Sequence, residues 1–280
     1  MGLLSSVRGI ALAGAIVVSG LGAGWVGPAA SAQEELVFCS DIAYPPMESY
    51  EGSEAVGADI DIGDEIAARL GRTAVYSNIG FDGIIAALLG KQCEAIISSM
   101  NNTPERAEQV DFVDYLYVGQ SLIVPKGNPL GLSTLETLCG HTAAAQVGTT
   151  NLDALNVASE ECVAAGEEPI DIVGFPSNTD AVLALKADRA DAVETDSPVA
   201  AYYVAQDPET FELGEAVIDP ILVGIAFNKD NTELRDQVQA VIDEMYADGT
   251  MMEILEKWQL SDFALPEMVG ATPVASPAAG

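Results

Sequence analysis

From Leu36 onward, short apolar runs alternate with helix-spaced apolar stretches that close on glycine, and this alternation restricts the possible folds more than any other feature of the chain. Residues 36–40 form a first apolar run, followed by a loop, 41–46, stiffened by Pro45 and Pro46. Ile62, Ile66 and Leu70 then recur at helical spacing ahead of Gly71, with Asp59 as the expected cap. Residues 73–77 predict a second strand, 81–90 a second helix and 93–98 a third strand. This order predicts an α/β fold with parallel-type sheets flanked by helices.

After Phe112 the pattern changes. Residues 117–124 form an extended run with Gly119 and polar residues inside it, as expected for a strand crossing between lobes. A second strand-and-helix series follows: 143–147, a helix from Asn151, 170–173, a helix over 178–187, and 190–194. Another extended run, 221–228, and helices over 232–247 and 251–258 complete the pattern. The expectation is two lobes, 33–118 plus 226–265 and 119–225, hinged on two crossing strands near Gln120 and Gly224, with a cleft between them. The last stretch, 266–280, is small and proline-punctuated and predicts a disordered tail.

The chemistry concentrates at 96–106. There an apolar strand runs out into Ser98, Ser99, Asn101 and Asn102, and then into Thr103-Pro104-Glu105, which reads as N-cap, N1 and first-turn acid of a helix. Hydroxyls and N–H groups at the carboxyl end of a strand lie where open α/β folds take their ligands. Arg106, one turn in, can grip a carboxylate with its planar fork, although an arginine on a surface helix is the plainer alternative. Gly148-Thr149-Thr150, at a helix start, can offer N–H groups to an anion, or can be an ordinary cap. Asp196, after an apolar strand, can pair with an ammonium group or cap the helix at Ser197-Pro198. Asp41, Tyr44 and Phe81 can line the walls, and the aromatics can equally belong to the core. Arg106 for a carboxylate and Asp196 for an amine together describe a free α-amino acid.

Residues 1–32 have the form of an export signal: Arg8 near the start, an apolar stretch over 9–27, and Ala30-Ser31-Ala32 before Gln33. An uncleaved anchor is the alternative reading. No cysteine precedes Cys39, so lipid modification of the amino terminus is not expected. Later stretches fall short of the roughly 18 apolar residues of a membrane span. With 43 acidic and 11 basic residues, a net charge of −32 argues against nucleic acid and anionic membrane surfaces as partners. Four cysteines in an exported chain permit three disulfide pairings. Cys39 in the first strand and Cys93 at the start of the strand leading into 96–106, with Cys139 and Cys162 bracketing a compact region, favour 39–93 and 139–162 without fixing the connectivity. Their spacing and the single His141 do not make a zinc site, and no metal or cofactor is expected.

Several runs carry a resemblance: 41–46, 57–61, 81–88, 95–106, 110–112, 146–150, 189–193 with Asp196, and 248–250. Together they resemble the extracellular solute-binding proteins of ABC importers for polar amino acids, the group of the lysine/arginine/ornithine-, histidine- and glutamine-binding proteins. The resemblance implies a two-lobed periplasmic-binding-protein-like clamp, exported and monomeric, that closes on one amino acid and passes it to ABC permease membrane subunits. By position it implies Arg106 and Thr150 for the ligand carboxylate, Ser99 and Asp196 for the amine, and Asp41, Tyr44 and Phe81 for the side-chain pocket. Asn101, Asn102 and Met47 depart from the residues usual in that family. A dehydratase on the same scaffold needs a general acid over its substrate, and a ligand sensor needs a separate signalling chain; the sequence favours neither.

Overall fold

The computed structural model describes residues 33–266 and 268, with the backbone alone over 215–219. The expected export segment, 1–32, lies outside the described residues, as does the expected tail apart from 266 and 268. The first apolar run is strand β1 (Glu35–Ser40). A small hairpin that the sequence reading does not anticipate follows, β2 (Ser49–Glu51) and β3 (Glu54–Val56). Helix α1 (Ala58–Arg69) buries Ile62 and Ile66 as their spacing requires. Its cap is Gly57, however, and Asp59 lies inside the first turn, fully buried. Strand β4 (Thr73–Asn78) comes next. A single 3₁₀ turn over Phe81–Gly83 opens α2 (Ile84–Leu89).

The third strand, β5 (Ala95–Ile96), is shorter than expected. The chain leaves the sheet there because Ser99 adopts a left-handed φ of 44°, which a strand cannot accommodate. Thr103 does cap α3 (Pro104–Gln109), accepting from the Arg106 N–H at 3.2 Å. The extended run is longer than expected, β6 (Val110–Pro125). Then follow β7 (Thr142–Gln146), α4 (Thr150–Ala165), β8 (Asp171–Phe175), α5 (Asn178–Lys186) and β9 (Ala192–Asp196). Helix α6 (Ser197–Gln206) begins right after Asp196, where the sequence offers a cap, with Pro198 in its first turn. The long strand β10 (Phe211–Asn228) and helices α7 (Thr232–Asp248) and α8 (Thr250–Lys257) finish the fold.

Eight strands share one hydrogen-bonded sheet in the order β4-β1-β5-β10-β6-β9-β7-β8. Its outer triplets, β4-β1-β5 and β9-β7-β8, are parallel. The two long strands between them run antiparallel to each other and to their neighbours, so the sheet is mixed. Helices α1, α7 and α8 cover one face of the first triplet through Leu36, Phe38, Val238, Ile242 and Leu255. Helix α2 covers the other through Ile84 and Leu88. In the second triplet, α4 brings Leu155 and Cys162 against Leu122 and Ala143, and α5 brings Val182 and Leu185 against Ile123 and Val193. Each such aliphatic side chain contributes roughly 1.5–3 kcal/mol on burial.

Two disulfides fasten the halves internally: Cys39–Cys93, 54 residues apart in sequence, and Cys139–Cys162, 23 apart. Strand β9 is buried along its whole length, Glu194 included, and neither carboxyl oxygen of Glu194 has a hydrogen-bond partner among the described residues. Burial, and next to it the nearby Asp196, pushes the Glu194 carboxyl well above its ordinary range.

Two expectations follow for stability. By loop entropy, replacing both Cys39 and Cys93 with alanine lowers unfolding stability in urea by about 4 kcal/mol, and the Cys139/Cys162 pair by about 3.5 kcal/mol. Glu194→Leu raises it by about 1–3 kcal/mol, because it removes an unpartnered buried polar group. The native Glu194 keeps its proton to higher pH than the unfolded chain does, so the wild type loses stability as pH rises and the variant's advantage widens in that direction.

Candidate functional site

The carboxyl ends of β1, β5, β7 and β9 point toward one another across the middle of the sheet. A cavity between them is lined by Asp41, Tyr44, Phe81, Ser98, Ser99 and Asn101 from the first half and by Thr149 and Asp196 from the second. All eight are among the ten expected site residues. The other two, Arg106 and Thr150, lie at an adjoining opening with Asp82, Gly148 and Asp153. Three lining residues, Glu48, Gln146 and Asn151, are not singled out by the sequence. Glu48 follows the Pro45-Pro46 loop, Gln146 is the last residue of β7, and Asn151 sits in the first turn of α4. The polar ending of each strand or loop is the only signal the sequence gives of them.

Hydrogen bonds join the two walls. Tyr44, from the first half, accepts from the Asp196 N–H at 3.2 Å and shares a 3.1 Å bond with the Thr195 hydroxyl. The Gln146 amide donates to the Asp41 carboxylate, and Thr150 Oγ1 donates to Asn101 Oδ1 at 2.7 Å. Thr179 Oγ1 donates to the Ala43 carbonyl at 3.0 Å. The cleft is closed.

Arg106 is buried, and its guanidinium lies 5.4 Å from the centre of the Phe81 ring. One nitrogen donates to the Asn101 carbonyl and another to the Gly148 carbonyl across the cleft, each at 3.0 Å. It is therefore a buried cation held on a stacking surface and not a surface arginine. Burial lowers its pKa from the ordinary guanidinium value, opposed mainly by the nearby Asp196 carboxylate.

Asp196 stands at the N-cap position of α6 yet makes no side-chain cap bond. Its carboxylate instead accepts from Asn151 Nδ2 at 3.3 Å. Burial raises its pKa to about 6 against the opposing effects of Asn151, Tyr44 and Arg106. Asp41 is also raised, chiefly by burial, while the Gln146 amide and the Phe81 N–H favour its charged form. Thr149 caps α4 by accepting from the Leu152 N–H at 3.2 Å and donates to the Gln146 carbonyl at 2.7 Å, so its hydroxyl is committed to structure. Ser98 is committed likewise: its oxygen accepts from the Asp41 N–H at 2.9 Å and donates to Glu48 at 2.8 Å.

Three buried polar atoms on the cavity are without hydrogen-bond partners among the described residues: Glu48 Oε2, Ser99 Oγ and Asn101 Nδ2. The left-handed Ser99 is fixed by its N–H, which donates to Asp59 Oδ2 at 2.7 Å. His141 is half-exposed and lies 3.8 Å from Asp191, apart from the cavity lining. Among the described residues no cluster of three or more His, Cys, Asp or Glu side chains is arranged to hold a metal ion, and no helix is long and apolar enough to cross a membrane.

Comparison with known proteins fits this architecture. The arginine-binding extracellular protein ArtP of Bacillus subtilis is 31% identical over 235 residues, covering 81% of this chain and 87% of that protein. An ancestral arginine-binding protein solved with arginine bound superposes with a TM-score of 0.74 at 33% identity, covering 81% of this chain and 99% of that one. An ancestral amino acid-binding protein, AncCDT-1, described as a precursor of cyclohexadienyl dehydratase, superposes with a TM-score of 0.73 at 31% identity over 80% of this chain and 95% of that one. Residues 36–261 match the family profile of the bacterial extracellular solute-binding proteins, family 3. The chain belongs to that family, the bacterial extracellular solute-binding proteins, whose named relatives here are binding proteins and not enzymes.

Proposed function

We propose that this protein binds a single polar amino acid with a cationic side chain in the cavity between two lobes, 33–118 plus 226–265 and 119–225, and delivers it as an exported monomer to an ABC permease. The observation that carries this reading is the division of charge around the cavity. Three carboxyl groups, Asp41, Glu48 and Asp196, line it, and Arg106 alone supplies a cation at its edge. An α-carboxylate directed at Arg106 and Thr150 leaves the amine to Asp196, with Ser99 Oγ accepting. The unpartnered Asn101 amide offers a further donor to the ligand. Asp41 and Glu48 then face the end of the side chain, with Tyr44 and Phe81 against its aliphatic part. The arginine-binding relatives support this choice of side chain.

Closure is driven by the ligand's charges. Both walls must give up water, and a zwitterion between Arg106 and Asp196 compensates each of them in a low dielectric. Strands β6 and β10, the two segments that run through both halves of the sheet, serve as the hinge.

Calorimetry against arginine, lysine, ornithine, histidine, glutamine and citrulline tests the reading. Cationic amino acids are expected to bind most tightly, and absence of heat with every amino acid refutes it. Arg106→Ala is expected to lose about a hundredfold or more in affinity with an unchanged circular dichroism spectrum, because the buried ligand carboxylate would have no partner. Gly148 sits at φ +77°, and a Cβ there would lie 2.9 Å from the Asp82 backbone on the opposite wall. Gly148→Ala is therefore expected to weaken binding by about tenfold, through left-handed strain and a blocked approach of the walls.

A further inference from the structure

Glu48, on the cavity wall, is paired with a second carboxyl group, Asp59, that lies off the cavity lining. Glu48 and Asp59 are both buried, at 1% and 0% exposure. Asp59 has both oxygens engaged by donors: Oδ1 accepts from the Tyr115 hydroxyl at 2.6 Å and Oδ2 from the Ser99 N–H at 2.7 Å. Glu48 is asymmetric. Its Oε1 accepts from Ser98 Oγ at 2.8 Å, and its Oε2 meets no N–H or O–H donor among the described residues. Asp59 is its neighbour: the Asp59 N–H donates to the Met47 carbonyl at 2.9 Å, and the adjacent Ser98 and Ser99 bind Glu48 and Asp59 respectively.

Two ionised carboxylates in such a place repel each other and leave one oxygen unsatisfied. A single proton on Glu48 Oε2 removes both penalties, because it turns the orphaned acceptor into a donor for the neighbouring carboxylate. The groups that face the pair are the Asp41 carboxylate and the Tyr115 hydroxyl, which add no positive charge. Among the described residues, neither acid has a Lys, Arg or His partner in an ion pair or hydrogen bond. Burial is the main force that raises both groups, Asp59 to about 6 and Glu48 well above its ordinary range, and their interaction raises Glu48 while lowering Asp59.

We infer that Glu48 and Asp59 share one proton, carried on Glu48 Oε2, and that a cationic ligand side chain reaching Glu48 expels it to solvent, whereas a neutral one leaves it in place. The inference rests on the proposed binding site. It gives that site a means of telling charge from shape: arginine and its neutral isostere citrulline present the same α-amine and α-carboxylate to Asp196 and Arg106, so any difference in proton count between them belongs to the side-chain end. The step balances, since the ligand brings one positive charge to the site and one proton leaves. It also fixes the sign of a pH effect. Below the raised value of the pair, arginine must displace the proton and its affinity rises with pH, by up to about tenfold per unit, while the difference disappears above that value.

The test has two arms. Infrared difference spectra of the ligand-free protein against Glu48→Gln at pH 7 are expected to show a protonated-carboxyl C=O band that the variant lacks. The Gln amide can donate to Asp59 as the proton does, which keeps the wall intact. No difference between the two spectra overturns the shared proton whether or not any ligand binds. In the second arm, calorimetry in buffers of different ionisation enthalpy is expected to show about one more proton released with arginine than with citrulline in the wild type, and no such excess for arginine in Glu48→Gln. Equal release by the two ligands, or an excess that survives the substitution, overturns the displacement. A protonated band together with no heat from any amino acid would refute the binding reading and the displacement, and leave the carboxyl pair itself standing.

Discussion

The antiparallel pairing of β6 with β10 is the constraint on which the rest of the molecule depends. Residues 110–118 of β6 pair with 221–228 of β10 on the side of β5, and Gln120 to Ile123 pair with β9. The register between the long strands breaks at Val217/Ile221 and again at Val223/Gly224, where an irregularity adds bend and twist. Two parallel triplets that share such a spine cannot lie flat against each other. Their carboxyl ends converge instead, and the cavity occupies the place where they meet.

What fills that place is acid. A chain with 43 acidic and 11 basic residues has few cations to spare for its interior, and it buries Arg106 where the strand ends meet. Glu48, Asp59, Asp196 and Glu194 are also buried there or close behind, and burial raises all four carboxyls. Such a wall is costly while the site holds no positive charge. A cationic ligand relieves that cost, so in this reading affinity comes as much from strain in the unliganded wall as from new contacts. Glu194 differs from the others, because it lies off the cavity lining and has no hydrogen-bond partner among the described residues; its cost is one of stability alone.

The wall is also held to a shape that its local sequence disfavours. Ser99 in the left-handed region costs energy for a residue with a side chain. The Asp59 carboxylate anchors its N–H, and Asp59 sits in the first turn of a helix 40 residues earlier. Two hydrogen-bonded chains meet behind this turn: Asp41 N–H to Ser98 to Glu48, and Tyr115 and the Ser99 N–H to Asp59.

The sequence by itself determined most of the elements and their order, the β2-β3 hairpin excepted, because hydrophobic period, glycine stops and the Thr103-Pro104 cap act over a few residues. The βα alternation, the long crossing strands and eight of the cavity's lining residues were legible in this way. Asp196 is one of these, although the sequence could not separate a side-chain cap from an acid turned into the cavity; its carboxylate makes no cap bond and accepts from Asn151 instead. Only the tertiary structure brought in Glu48, Gln146 and Asn151, placed Asp59 beneath the wall instead of at a helix cap, and set Arg106 on Phe81 against two carbonyls. The physical reason is separation along the chain. Tyr44 meets Thr195 across 151 residues and Gln146 meets Asp41 across 105, and contacts of that range are fixed by the twist of the shared sheet and by what burial does to charge, neither of which any local pattern records.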